Sequence, residues 1–305
     1  DFIGGGDTNI IDGITVPTYA VIAGGQTNTI GSLTAAIASD FSFIGGGQNN
    51  IITAMGSGIA GGLNNQIFGD CGFIGGGRTN TIEIDSFYST VVGGFNNHIN
   101  PQSEGAFIGG GVTNNIGSPI PANYNIASYG VIGGGENNLI DTNAIQPTTY
   151  GIIGGGQNNL LMPGSMLSGI FSGDSNCICG ARSVISGGLR NQIVDTVGGG
   201  GLIAFNFIGG GEQNHINSLG YAAITGGQFN TTAPGATHSF IGSGLRNNVD
   251  GTFSSIVVGD SNCINNGSDY SFIGGGIENS IANALPGCAN SLYGVIFGGQ
   301  RNCLD

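Results

Sequence analysis

One short motif repeats along the whole sequence, and this repeat limits the fold more than any other feature. Several copies begin Phe-Ile-Gly-Gly-Gly, as at positions 2–6 and 43–47. Aligned on one Asn, the motif occurs 17 times: Gly always stands three residues before that Asn, and Ile six before it, except at Val91. Two residues after the Asn comes Ile, Leu or Val, except at Thr232. This register identifies a repeat protein. The aligned residues are Asn9, Asn28, Asn50, Asn65, Asn80, Asn97, Asn114, Asn138, Asn159, Asn176, Asn191, Asn214, Asn230, Asn247, Asn262, Asn279 and Asn302.

The spacing between successive asparagines shows how one repeat is built. It ranges from 15 to 24 residues, and the shortest spacing occurs four times. All extra residues fall between the Ile that follows the Asn and the next Ile-Gly-Gly. A fixed core with insertions at one corner is typical of structural units that stack on their neighbours.

The composition of the repeat favours strands over helices. The chain contains 63 Gly residues, and Gly costs about 1 kcal/mol in a helix interior. The Asn-x-Ile segment alternates as a short strand does, while the preceding Gly and two variable residues indicate a tight turn. The predicted fold is therefore all-β: a parallel β-solenoid (β-roll or β-helix) of about 17 stacked coils, with a 15-residue minimal coil and corner insertions. We expect residues 1–305 to form a single solenoid domain without separate caps.

The Asn column has a structural interpretation. A buried Asn in every coil can form hydrogen bonds with the Asn above and below it and with backbone groups of the turn. We therefore interpret these 17 residues as an amide ladder rather than a row of ligand-binding groups.

A second apolar column stands next to the first Ile of each repeat. Adjacent residues of a strand point to opposite faces, so this column is expected to face outward. Such an exposed stripe exceeds what soluble monomers tolerate, and association of identical chains would cover it. The alternative is a wider single-chain solenoid that buries both columns. The apolar stripe consists of Phe2, Val21, Phe43, Phe73, Phe107, Val131, Ile152, Val184, Phe207, Phe240, Phe272 and Val295.

The repeat resembles the left-handed β-roll heads of trimeric autotransporter adhesins, whose coils read approximately S-V-A-I-G-x-x-A-x-A. It is also similar to the Gly-Gly-Gly-x-x-Asn repeats of tail-fibre-like proteins. Residues 88–97 (Tyr-Ser-Thr-Val-Val-Gly-Gly-Phe-Asn-Asn) and 270–276 (Tyr-Ser-Phe-Ile-Gly-Gly-Gly) carry the pattern. The resemblance covers the whole chain and implies a parallel β-roll, a homotrimer, and display outside a cell or on a virion.

The charge pattern excludes several partners. Lys is absent, all five basic residues are Arg, and the formal net charge is −13. A nucleic-acid partner and an anionic membrane surface both require basic stripes, so neither is expected. The sequence contains no run of about 18 apolar residues, so direct membrane insertion is not expected.

Candidate chemical groups are scattered. The closest carboxylate pair is Glu83 and Asp85, and no coil gathers the acidic, basic and aromatic residues of a glycosidase site. The Gly-rich segments lack the Lys and the helix of a phosphate loop. His98 and His215 lie six coils apart, and the Cys-x-Cys at 177–179 lacks a second ligand pair. We therefore expect no enzyme activity, cofactor or metal.

Long corner insertions are the best candidates for specific contacts, because loops on a rigid scaffold carry function. Two of them bring Tyr124, Tyr129 and Tyr150 to one edge, where a host surface or a glycan is the expected partner. The sequence thus predicts a structural and adhesive fibre or surface protein, extracellular, on a cell or on a virion, assembled as a parallel homotrimer or an end-to-end filament. The alternatives are a single-chain solenoid that binds ice or polysaccharide, and a glycan-degrading β-helix enzyme.

Overall fold

A computed structural model describes residues 1–12, 17–31, 39–118, 127–143, 146–194, 205–282 and 293–304. These residues form 34 short strands and contain no helix. The predicted all-β, parallel solenoid of stacked coils is confirmed. The residues group by their mutual contacts into two compact units, unit 1 with residues 1–158 and unit 2 with residues 159–305. The single domain expected over residues 1–305 stays a prediction.

Each coil contains two short strands. We call the strand before the Gly-rich turn the a-strand and the strand after the aligned Asn the b-strand. In unit 1 the a-strands are Phe2–Ile3, Val21–Ile22, Phe43–Ile44, Gly58–Ile59, Phe73–Ile74, Thr90–Val91, Phe107–Ile108, Val131–Ile132 and Ile152–Ile153. The b-strands of unit 1 are Ile10–Ile11, Thr29–Ile30, Ile51–Ile52, Gln66–Ile67, Thr81–Ile82, His98–Ile99, Asn115–Ile116 and Leu139–Ile140.

Unit 2 has the same two kinds of strand. Its a-strands are Gly169–Ile170, Val184–Ile185, Phe207–Ile208, Ala223–Ile224, Phe240–Ile241, Ser255–Ile256, Phe272–Ile273 and Val295–Ile296. Its b-strands are Leu160–Leu161, Cys177–Cys179, Gln192–Val194, His215–Asn217, Thr231–Thr232, Asn248–Val249, Cys263–Ile264, Ser280–Ile281 and Cys303–Leu304.

Within each unit, equivalent strands of successive coils pair in parallel and in register. Ile44, for example, pairs with Ile22 of the coil before and Ile59 of the coil after. The residues two positions before each aligned Asn form a third parallel β-bridge between successive coils of a unit, as between Gln48 and Leu63. Each coil therefore has three parallel segments, one more than the sequence indicated.

The core of each coil is narrow. The Ile or Val of the a-strand and the Ile, Leu, Val or Thr of the b-strand point inward, and in Ile44 and Ile52 no surface is exposed. Small residues fill the corners between them, such as Ala54 and Ser57. Two large side chains per coil thus supply most of the apolar burial, as the repeat predicted.

The turn before the aligned Asn requires glycine at one position. Gly47 has φ +87°, and a Cβ there would lie 2.2 Å from the carbonyl oxygen of Gly62 in the next coil. The preceding Gly46 has nothing within 4 Å of an added Cβ. The left-handed backbone also extends to Asn49, with φ 55°. The turn therefore combines a close approach of two backbones with a left-handed conformation.

The two glycines of this turn provide a matched test. Gly47→Ala is expected to lower the free energy of unfolding by roughly 3 kcal/mol, because it adds both steric overlap and backbone strain. Gly46→Ala is expected to change it by less than about 0.5 kcal/mol. Thermal unfolding followed by circular dichroism measures both. Equal destabilisation by the two variants would contradict this account of the turn.

Candidate functional site

The aligned asparagines form a continuous hydrogen-bonded column inside each unit. The Nδ2 atom of Asn65 lies 3.2 Å from Oδ1 of Asn50, 3.1 Å from the carbonyl oxygen of Gly61 and 3.1 Å from that of Gly77. Its two amide protons are shared among these three acceptors. Its Oδ1 accepts hydrogen bonds from the backbone N–H and the Nδ2 of Asn80, at 3.0 and 3.1 Å. One carboxamide therefore connects three successive coils.

The same pattern recurs along both units. In unit 1, each backbone N–H from Asn28 to Asn138 in the column donates to the preceding Asn Oδ1. In unit 2 this chain of bonds runs from Asn159 to Asn302. Each Nδ2 supplies a donor to the turn carbonyl of its own coil, such as that of Gly61, and to a carbonyl of the next coil, such as that of Gly77, which also accepts the N–H of Leu63. The geometry of the column is that of a structural element, with the side chains facing away from solvent.

A second polar column, not anticipated from the sequence, occupies the corner before the a-strand. Ser89 Oγ donates to the carbonyl oxygen of Ser103 at 2.9 Å and accepts the N–H of Ala106 at 3.1 Å. Ser168 repeats this in unit 2, donating to the Gly180 carbonyl at 2.8 Å and accepting the Ser183 N–H at 3.0 Å. Only some coils have Ser at this position, so the repeat alone did not reveal its role.

The apolar stripe lies on the outer face of the a-strands in both units. Phe2, Phe43, Phe73, Phe107 and Ile152 are exposed in unit 1, with Phe73 at 45%. Phe207, Phe240 and Val295 are exposed in unit 2. The remaining members are half-buried: Val21, Val131, Val184 and Phe272. The structure thus brings the stripe residues of each unit into one column and leaves them accessible.

The stripe of unit 1 lies on an uncharged face. None of the nine outward a-strand residues of this unit is charged. The two residues after each inward Ile or Val are Gly-Gly, Ala-Gly or, once, Val92-Gly93. Small side chains beside large apolar ones leave room for another backbone to approach.

Aromatic side chains form a further exposed column, two residues before the stripe. In unit 2 the rings of Phe205, Tyr221, His238, Phe253, Tyr270 and Tyr293 follow one another with centroids 4.5–5.4 Å apart. The guanidinium of Arg182 lies 5.6 Å from the Phe205 ring centroid. In unit 1, Tyr19 stacks on Phe41 at 5.1 Å. Sequence analysis missed this column, although its signal was a recurring aromatic residue two positions before the stripe.

Two of the three predicted contact tyrosines belong to this aromatic column. Tyr129 and Tyr150 stack with centroids 5.1 Å apart and an interplanar angle of 7°. Both are about half exposed. Tyr124 lies outside the described residues. The contact with a host surface or a glycan stays a prediction.

The histidines and cysteines lie on the outer side of the b-strands or at corners. His98 Nε2 is 3.3 Å from Oε1 of Glu83, while burial lowers the pKa of His215. Burial, with Cys179 nearby, raises the pKa of Cys177 to about 11. Cys177 therefore keeps its thiol proton at neutral pH and is a weak nucleophile. Cys71, Cys177 and Cys263 are free thiols, and Cys288 lies outside the described residues.

No group of three metal-ligating side chains occurs in the described part of the chain. The Glu83 carboxylate faces the imidazole of His98, at the 3.3 Å given above. Among the described residues there is no helix of the length and hydrophobicity needed to cross a membrane.

No protein-family model and no curated protein sequence matches this chain. The stacked parallel coils are shown by the structure. The relation to adhesin heads or tail fibres stays a prediction.

The Asn column can be tested at one interior position. Asn65→Ala is expected to lower the free energy of unfolding by about 3 kcal/mol, because it leaves the half-buried Gly61 carbonyl and the buried Asn80 N–H without their partners. The adjacent outward Gln66→Ala is the control and should cost less than about 1 kcal/mol. Chemical denaturation measures both values. A similar small cost for the two variants would show that the column contributes little to stability.

Proposed function

We propose that this protein is a structural solenoid that associates with identical chains, either side by side through the apolar stripe as a parallel homotrimer or end to end as a filament. The observation that carries the proposal is the column of exposed and half-buried apolar side chains on an uncharged face, interrupted in unit 1 only by Gly58 and Thr90. The solenoid fold is consistent with a structural or binding role. The proposal involves no catalytic step, cofactor or metal.

The size of the stripe supports association. The five exposed stripe side chains of unit 1 are between 37% and 61% exposed. With a surface of about 200 Å² for each large side chain, their exposed parts together present roughly 450 Å². This is more than half of the approximately 800 Å² that each partner buries in a standard interface. Unit 2 carries its own stripe in addition.

The charge distribution supports the same face. The chain carries a net charge of −13, so identical copies repel one another through most surfaces. In unit 1 the acidic residues lie at corners or on the turn, as at Asp40, Asp70 and Glu136, rather than on the outer face of the a-strands. Two copies can therefore approach through their stripes with the least repulsion.

We place this assembly outside the cell, on a cell surface, an extracellular filament or a virion. Support comes from the absence of Lys and the presence of only five Arg, which leave few sites for trypsin-like proteases. Secretion of the full-length protein from its natural source, followed by immunogold labelling, tests this location. Labelling confined to the cell interior would contradict it.

Native mass measured by light scattering tests the association. The wild-type protein is expected at about three times 30.5 kDa, or as larger, length-dispersed particles. The double variant Phe73→Ser/Phe107→Ser should shift the mass of the trimer to 30.5 kDa, because it removes apolar area from the stripe. A small polar residue already occupies the equivalent outward position in two other coils, at Thr90 and Ser255. Phe95→Ser is the control, since Phe95 is equally exposed, at 44%, but lies on the turn.

A wild-type monomer at micromolar and higher concentrations would overturn the proposal. It would favour the single-chain binding module, with the stripe as a surface for ice or polysaccharide. Equal loss of mass in the control variant would show that association does not depend on the stripe.

A further inference from the structure

Two pairs of tyrosines are held ring against ring on the exposed aromatic column. Tyr129 and Tyr150 of unit 1 have centroids 5.1 Å apart at 7°. Tyr270 and Tyr293 of unit 2 have centroids 5.3 Å apart at 22°. All four side chains are between 46% and 68% exposed. No other two tyrosines of the described residues are stacked on each other.

The backbone holds each pair in register. Tyr150 N–H donates to the carbonyl of Ser128 at 3.1 Å, next to Tyr129. Tyr293 N–H donates to the carbonyl of Asp269 at 3.1 Å, next to Tyr270. The phenols therefore remain neighbours in successive coils, although 21 and 23 residues separate them in the sequence. Their exposure leaves the rings accessible to a soluble oxidant.

We propose that Tyr129 with Tyr150, and Tyr270 with Tyr293, are sites of oxidative cross-linking to dityrosine. The co-reactant is hydrogen peroxide acting through a one-electron oxidant of the haem-peroxidase class. Each phenol loses one electron and its hydroxyl proton to give a tyrosyl radical. Two radicals then form one carbon–carbon bond between the ring positions next to the oxygens, and the ring hydrogens at those carbons move to the oxygens.

The reaction is balanced within this scheme. The two phenols together lose two electrons and two protons, and one hydrogen peroxide accepts them to become two water molecules. Holding both radicals in adjacent coils makes their coupling intramolecular, which favours it over encounters between free chains. The product would close the segments 129–150 and 270–293 covalently and restrict the unfolded chain.

The chain offers matched controls for this geometry. Tyr19 and Phe41 stack at 5.1 Å and 8°, like Tyr129 and Tyr150, but only one of the two is a phenol. Tyr88 is 67% exposed and stacks on no ring of the described residues. Reactivity that follows exposure alone would select Tyr19, Tyr293 and Tyr88, and would leave the less exposed Tyr129, Tyr150 and Tyr270 largely unmodified. Reactivity that follows pairing would select the four proposed residues.

The test treats the full-length chain with a haem peroxidase and hydrogen peroxide. An equal mixture of nitrogen-15-labelled and unlabelled protein distinguishes links within a chain from links between chains. Digestion with a protease that does not require Lys or Arg, followed by mass spectrometry, locates the links. We expect dityrosine within single chains, between Tyr129 and Tyr150 and between Tyr270 and Tyr293.

Variants that preserve the ring stacks separate pairing from exposure. Tyr150→Phe and Tyr293→Phe should each lower the intramolecular yield of dityrosine about twofold, and together they should abolish most of it. Phe41→Tyr should raise the yield about 1.5-fold by completing a third pair. Links mainly between chains, links at Tyr19, Tyr88 or Tyr124 in the wild-type chain, or an unchanged yield in these variants would each overturn the proposal. It does not depend on self-association, because the label mixture measures the two separately.

Discussion

The carboxamide column is the interaction on which the rest of this solenoid depends. A coil with two large inward side chains encloses a narrow core, and its half-buried turn brings backbone carbonyls within hydrogen-bond distance of the ladder carboxamides. The ladder Asn supplies donors to those carbonyls and an acceptor to the next coil, as Asn65 shows. This arrangement requires the coils to lie close together, which in turn demands glycine at positions such as Gly47. Strand register, the Ile core and the position of every outer column follow from that spacing.

The outer columns differ in chemistry although they share one scaffold. The a-strands present the apolar stripe, the adjacent corner presents stacked aromatic rings, and the turn carries polar groups such as Gln26 and Gln48, whose side chains bond to each other at 3.2 Å. Because the coils stack in register within each unit, the outward residues at one position of successive coils lie next to one another and form an extended surface. A repeat of this kind can therefore develop an extended interface without altering its core.

The strict positions of the repeat could be predicted from the sequence, because each has one dominant physical demand. The inward Ile, the ladder Asn and the left-handed Gly recur with little variation, and the structure shows all three as columns. The corners were harder to predict, because the insertions vary in length and the residue types vary with them. Tyr88, Cys71 and Arg182 share left-handed φ values of 54–58° at equivalent corners but no common chemistry. The aromatic residues stand at a constant offset from the stripe in the sequence, but their ring stacking and the hydrogen bonds of the Ser column depend on how equivalent corners lie in space.

Exchange of the side-chain amide protons with solvent tests the ladder most directly. In a folded full-length chain, the carboxamide protons of buried ladder residues such as Asn50 and Asn97 should exchange at least about 10³-fold more slowly than those of the exposed Asn266, equivalent to an opening free energy of about 4 kcal/mol. Nuclear magnetic resonance resolves both classes of proton. Ladder carboxamides that exchange as fast as that of Asn266, while the strand amides remain protected, would contradict the account of how the coils are held together.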